Sequence, residues 1–443
     1  MEIQAVAQPV EALRNAFRIP ELKQRMIFTL LMLAVYRIGA QIPTPGIDGV
    51  ALAQRVGEAG GLLGFYDLFT GGAFAQATIF ALGIMPYISA SIIMQLLTAV
   101  VPTLEKLSKE GEEGRKKITE YTRYATIGLC MVQSIGMATL LQGYGEEVVP
   151  NPGFGFVLLC MITFTAGTTF LMWLGEQISE RGVGNGISLI IFISIVSGAP
   201  TALGNLGQLL RAREIDILQV GILVIVLVCV TGFVVMMTQG QRRIPVQYPR
   251  QVKGRRVFAG ARNYLPLRVN QAGVIPIIFA SSILMLPSMV GQALDMPAVA
   301  NYFQQWQDGF LYNALYIGMI MFFCFFYTAI TFNPVEVADN MKKYGGVVVG
   351  VRPGKATAEY LQHVMTRVTV VGAVFLSGVA LLPQIAYHFL GIYDWHIASF
   401  FGGTSLLILV GVGLDTVRQI EQHLVMRNYE GFMKGRRVRG RRG

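Results

Sequence analysis

Apolar residues gather along this chain into runs separated by short polar stretches. A helix needs about 20 mainly apolar residues to cross the hydrocarbon core of a bilayer. Such runs lie near 26–42, 77–101, 123–142, 154–175 and 186–203, and again near 217–238, 272–294, 310–332, 367–390 and 398–417. The pattern predicts ten membrane-spanning helices. The second run differs from the others, because an amphipathic stretch, GLLGFYDLFTGGAF (61–74), precedes it. That stretch is too short and too broken by glycine to span alone. It is expected to form a re-entrant half-helix, which must be shielded by protein or line a cavity.

Composition removes the soluble alternatives. A chain of 443 residues would ordinarily suggest two or three soluble domains. Here 53% of residues are hydrophobic and 14% charged, against about 25% charged in soluble proteins. A soluble enzyme, a disordered tail and a disulfide scaffold are all excluded as classes. Cys130, Cys160, Cys229 and Cys324 each sit inside an apolar run without CxxC spacing, as small hydrophobes do. Glu2 and Glu11 precede the first basic residue and no cleavage site follows, so no cleaved signal peptide is expected.

The net charge of +10 is directional. Of 36 Lys and Arg residues, 30 fall before the first run, in the even-numbered connections or after the last run, and only Arg55, Arg211 and Arg213 fall in the opposite loops. Cytoplasmic loops carry the excess of Lys and Arg, which puts both termini in the cytoplasm. Orientation needs only a few lysines. The 6–7 connection (QRRIPVQYPRQVKGRRVFAGARNYLPLRVN) and the 8–9 connection are therefore expected to dock a large acidic or RNA-bearing partner. The arginine-rich tail GRRVRGRR could equally bind anionic lipid.

The runs hold almost no ionisable groups at mid-depth, where a pump or proton-coupled transporter would need them. Glu176 and Asp415 lie near cytoplasmic ends, and Arg37 is close enough to the outer end to snorkel. The histidines lie near run ends or in loops, without HExxH, and no metal, cofactor or catalytic group is expected. RGVGNGIS (181–188) has the glycines of a nucleotide loop, but no strand precedes it; a tight turn feeding the fifth run is the better reading. Pro86 in the second run, with Pro276 and Pro287 in the seventh, should bend those helices. Ser89, Ser91, Gln95, Ser281 and Ser282 supply small or polar contacts there. Ordinary kinked packing accounts for any one of these features; together they hint at a seam between two halves of five spans, as in inverted-repeat membrane proteins.

GIMPYISASIIMQLL (83–97), GEQISERGVGNGISLIIF (175–192), AGVIPIIFASS (272–282), VRPG (351–354) and GGTSLLI (402–408) closely resemble the bacterial SecY family, the channel subunits of the general protein-secretion translocon. The likeness runs from PELKQR before the first span to YEGF near the end. It implies an all-α polytopic protein: a clamshell of two five-helix halves, 1–215 and 216–443, around an hourglass pore in the bacterial plasma membrane. Such channels pass unfolded polypeptides and release hydrophobic segments into lipid. They work with the small subunits SecE and SecG and with the SecA motor ATPase or a ribosome bearing a nascent chain, whose RNA the basic loops could touch.

The resemblance also assigns residues. Ile84, Ile88, Ile191, Ile278, Ile283 and Ile408 would form the pore ring, although an isoleucine in an apolar helix is ordinarily core or lipid-facing. Ile84 and Ile88, four apart, would share a helix face, whereas Ile278 and Ile283, five apart, would not on an ideal helix. Leu62, Leu63, Phe65, Tyr66, Leu68 and Phe69, hinged at Gly71 and Gly72, would be the plug. Ser89, Gln95, Ser281, Ser282 and Leu286 would line the lateral gate between the second and seventh spans. Arg242, Arg243, Arg255, Arg256 and above all Arg352 would meet the motor or ribosome. A ten-span transporter of a small solute and a non-channel scaffold or insertase are the competing readings.

Overall fold

The computed structural model describes residues 19–53, 67, 69–213, 215–248, 251–253, 256–258, 262–293, 309–382, 397 and 402–435. Its helices are α1 (Pro20–Gly39), α2 (Met85–Val100), α3 (Pro102–Lys109), α4 (Glu112–Gly143), α5 (Phe154–Arg181) and α6 (Gly186–Ala212). They continue as α7 (Ile217–Gln239), α8 (Ile275–Ala293), α9 (Phe310–Thr331), α10 (Pro334–Lys343), α11 (Lys355–Ala380) and α12 (Gly403–Gly435). A helix lies over part or all of each of the ten apolar runs.

Among the described residues, seven helical stretches are long and apolar enough to cross a membrane, and α2 with α3, bent by 98°, makes an eighth if taken as one span. The chain is a multi-pass membrane protein built mainly of helices. α1 falls short of the seven because Lys23, Arg25 and Arg37 share its 20 residues. α7 is the most apolar, with a mean hydropathy of 3.0 and only 11% of that stretch buried within the chain.

Three details depart from the sequence expectations. α2 begins at Met85, not near residue 77, because residues 71–84 are held in turns. Pro86 and Pro276 stand in the first turns of α2 and α8. A missing N–H costs nothing there, so these prolines open their helices instead of bending them. The 6–7 connection, for which no element is predicted from the sequence, holds strands. It contains β1 (Gln241–Gln247), β2 (Gln251–Lys253), β3 (Arg256–Phe258) and β4 (Arg262–Arg268), with β5 (Val347–Val348) joining from the 8–9 connection.

The chain forms two compact units. Unit 1 comprises Met1–Tyr87, Arg123–Ala202 and Ile408–Gly443; unit 2 comprises Ile88–Thr122 and Leu203–Leu407. In unit 1, α1 packs on α5. The turns of 71–84 lie between these elements: Ile79 N–H donates to the Ile42 carbonyl (3.0 Å), and Thr168 Oγ1 donates to the Gly83 carbonyl (3.2 Å). A side chain at Gly39 would overlap the Phe80 ring, and one at Gly167 the Ile79 carbonyl, so both helices need glycine where this segment crosses them.

In unit 2, α9 packs on both α8 and α11, with the Phe279 and Phe323 rings edge to face at 5.7 Å. Strands β4, β1 and β5 form an antiparallel sheet in that order. Alternation along β1 buries Ile244 and Val246 and exposes Arg243, Pro245 and Gln247. Ile244, Leu267 and Val348 join Leu361 and Met365 of α11 in a small core that carries the sheet.

Candidate functional site

The six ring candidates divide three and three. Unit 1 carries Ile84, Ile191 and Ile408, which are 4%, 3% and 1% exposed; unit 2 carries Ile88 and Ile278, each 7% exposed, and Ile283, which is half-buried. Ile84 stands in the turn before α2, so the shared-face argument for it and Ile88 lacks its helix at that end. Ile191 lies on α6, Ile278 and Ile283 on α8, and Ile408 on α12.

Of the plug candidates, Leu62, Leu63, Phe65, Tyr66 and Leu68 lie outside the described residues. Phe69 and Thr70 are helical and buried, and Gly71 to Phe74 are turn, so the expected half-helix does not continue to Phe74. Gly71 and Gly72 have φ of +68° and +86°, a region in which glycine alone is at ease. Donors on α1 and α6, far apart in sequence, hold this end. Arg37 Nη1 donates to the Gly71 carbonyl (2.9 Å), and the Tyr36 hydroxyl donates to the Thr70 carbonyl (3.2 Å). The Tyr36 hydroxyl also bonds with Ser194 Oγ (2.5 Å), and Ser197 Oγ reaches the Gly71 carbonyl at 3.4 Å.

Arg37 is half-buried, and its guanidinium is bonded to a protein carbonyl. A polar Tyr-Arg pair at the end of an apolar run was the available signal. Asp67 belongs to the same knot, since its Oδ1 accepts from Ala75 N–H at 2.8 Å.

The gate candidates lie on two helices of unit 2. Ser89 and Gln95 are on α2, where Gln95 Nε2 donates to Ser91 Oγ at 3.3 Å. Ser281 and Ser282 are buried on α8; Ser281 Oγ donates to the Ile278 carbonyl (3.0 Å), while the Ser282 hydroxyl has no bonding partner among the described residues. Leu286 falls within α8, but its side chain lies outside the described residues.

Arg242 and Arg243 are exposed on β1, and Arg352 is exposed in the turn that leads into α11. Gly350 and Gly354, with φ of +85° and +100°, flank Arg352, and Thr357 Oγ1 donates to its carbonyl at 2.8 Å. That turn is thereby shaped by α11 itself. Arg255 lies outside the described residues; Arg256 stands on β3 opposite Lys253, its side chain likewise outside them. On α3, the Lys109 ammonium bonds the Glu105 carboxylate at 2.6 Å and holds its pKa below the usual range. So exposed a pair contributes little to stability.

Inside unit 1, Arg123 and Glu176 form a two-bond pair at 2.9 and 2.7 Å that joins α4 to α5. Among the described residues no group of three or more His, Cys, Asp or Glu could hold a metal. Cys130, Cys160 and Cys324 are buried and Cys229 is exposed, all as free thiols.

A family model described as SecY matches residues 78–417. The chain is 46% identical to the protein translocase subunit SecY of Streptomyces griseus over 439 residues, covering 96% of this chain and 99% of that protein. It is also 46% identical to the same subunit of Escherichia coli K12 over 430 residues, covering 95% and 96%. Among solved structures, a protein-conducting channel superposes with a TM-score of 0.64 at 19% identity, over 93% of this chain and 97% of that one. Sec61 from a canine ribosome–channel complex of the endoplasmic reticulum gives the same values. At that identity, the solved structures speak for the fold alone.

Proposed function

The chain belongs to the SecY family, and on that premise we propose that it is a protein-conducting channel, which passes unfolded secretory polypeptides across the membrane and releases hydrophobic segments sideways into lipid. The observation that carries this reading is 46% identity to SecY subunits over nearly the whole chain. The alternative of a small-solute transporter has no such support, and its required mid-membrane charges are missing from the apolar runs.

In this reading ten spans form two halves, 1–215 and 216–443, as an inverted-repeat clamshell around an hourglass pore. Ile84, Ile88, Ile191, Ile278, Ile283 and Ile408 converge at its waist. A narrow aliphatic ring repels water and gates ions by dewetting. It makes no directional bonds to a passing chain, so any sequence can slide through. The plug, about residues 61–74 and hinged at Gly71 and Gly72, covers the ring at rest. Ser89, Gln95, Ser281, Ser282 and Leu286 line the lateral gate, where a signal helix trades weak helix contacts for its own packing and shifts the population towards the open state.

Arg242, Arg243, Arg255, Arg256 and Arg352 dock a SecA-type motor or a ribosome, and SecE and SecG complete the channel. The protein resides in a bacterial plasma membrane with both termini cytoplasmic. The energy for transport is the partner's.

Reconstitution with a SecA motor, ATP and a signal-bearing precursor tests this reading by protease protection of the precursor. The parent channel protects it, and Arg352→Glu abolishes motor-driven protection while the channel stays folded. Precursor left fully digested with the parent channel would overturn the reading.

A further inference from the structure

The RGVGNGIS turn connects α5 to α6. Its backbone N–H groups are heavily committed. Gly182 N–H goes to the Ile178 carbonyl (2.8 Å), Gly186 N–H to Ser179 Oγ (2.9 Å), and those of Ile187 and Ser188 to Asn185 Oδ1 (3.1 and 3.2 Å). A phosphate-cradling loop keeps such donors free for its ligand. These donors are occupied, and the turn is not an anion site.

The two remaining bonds leave the local chain. Val183 N–H donates to Thr29 Oγ1 of α1 (3.0 Å), and Gly184 N–H donates to Gln419 Oε1 of α12 (3.0 Å). The partners lie 154 and 235 residues away in sequence. Thr29 completes its hydroxyl by donating to the Arg25 carbonyl (3.0 Å). Around these bonds Leu22, Val183 and Ile420 form a core onto which Met26 and Leu424 pack. Gly184 has φ of +88°, and a side chain there would press on Leu189 and Thr416. One at Gly182 would overlap Thr29 Oγ1. The first helix, the last helix and the start of α6 are thus fastened to one four-residue turn, all within unit 1.

We propose that Thr29 and Gln419 are positioning residues for the constriction. They act through the turn to fix the axial register of α6 and α12, and so of Ile191 and Ile408. Ile191 sits about one and a half turns into α6, and Ile408 about three turns before Gln419. The inference rests on the ring reading of those two isoleucines. Interdigitated apolar packing resists sliding, but the hydrophobic effect is non-directional; a hydrogen bond to a fixed backbone N–H adds a directional restraint on helix depth.

The test measures resting conductance of the reconstituted channel for Thr29→Val and Gln419→Leu, which remove the acceptors, and for Thr29→Ser and Gln419→Glu, which keep them. Ile191→Asn and Ile408→Asn are run in parallel. The expected result is conductance raised roughly fivefold by Val and Leu, as losing one ordinary hydrogen bond shifts a two-state equilibrium, with Ser and Glu near the parent. Val and Leu variants at parent level beside leaking Asn variants would overturn the positioning role and leave the ring standing. Tight Asn variants would overturn the ring, and the inference with it. Leak that Ser and Glu do not relieve would also overturn the inference, since it would then follow packing volume and not the bond.

Discussion

Two glycine-bearing turns in unit 1 look alike in sequence and are held in opposite ways. At Gly71 and Gly72 the surrounding side chains grip carbonyl oxygens, through the long Arg37 side chain and the hydroxyls of Tyr36 and Ser197. A side chain added at Gly72 would meet nothing within 4 Å. At Gly182 to Gly186 the neighbours accept from N–H groups, and a side chain at Gly186 would overlap the Gly175 carbonyl oxygen. Backbone meets the first turn too, since a side chain at Gly71 would press on Ser194 Cα at 2.9 Å, but the approach at Gly186, 2.0 Å from the Gly175 carbonyl oxygen, is much closer. The second turn is the more tightly seated of the two. That difference suits a displaceable segment on one side and a fixed joint on the other.

The comparison breaks most sharply at Gly186. Gly186→Ala drives a methyl group into backbone and should cost about 3 kcal/mol, read as a lower thermal midpoint of the purified channel. Arg37→Met takes the charged donor from the Gly71 carbonyl while keeping the volume of the stem. It should cost about 1–3 kcal/mol, but as easier release of the turn: resting conductance rises while the thermal midpoint of the rest of the protein holds. Tyr36→Phe is the mildest, at about 1 kcal/mol, because Ser194 Oγ keeps its bond to the Ile190 carbonyl (2.8 Å). Equal thermal losses for Gly186→Ala and Arg37→Met would erase the distinction between the two turns.

What the sequence revealed and what it hid follow one physical line. Apolar runs report the boundary between lipid and water, and a helix is found over each of them. The start of α2 was misplaced because residues 77–84 are as apolar as a helix. They are kept in turns by Gly39, Gly167 and Thr168, all distant in sequence. The sheet of β1, β4 and β5 was overlooked because arginine, glutamine and proline mask a short alternation at Ile244 and Val246. The grip on Thr70 and Gly71 was invisible for a similar reason: Tyr36 and Ser194 are 158 residues apart, and nothing local marks them as partners. The six isoleucines proposed for the ring, by contrast, are marked only by the family resemblance, since an isoleucine in an apolar helix carries no pattern of its own.

The claim that matters most is that a ring of aliphatic side chains seals this channel. Resting ion conductance in planar bilayers tests it most directly, with Ile88→Asn and Ile408→Asn compared with the parent. Both variants are expected to leak ions, and precursors with weak signal sequences to be secreted more readily. Resting conductance unchanged from the parent in both variants would contradict that claim.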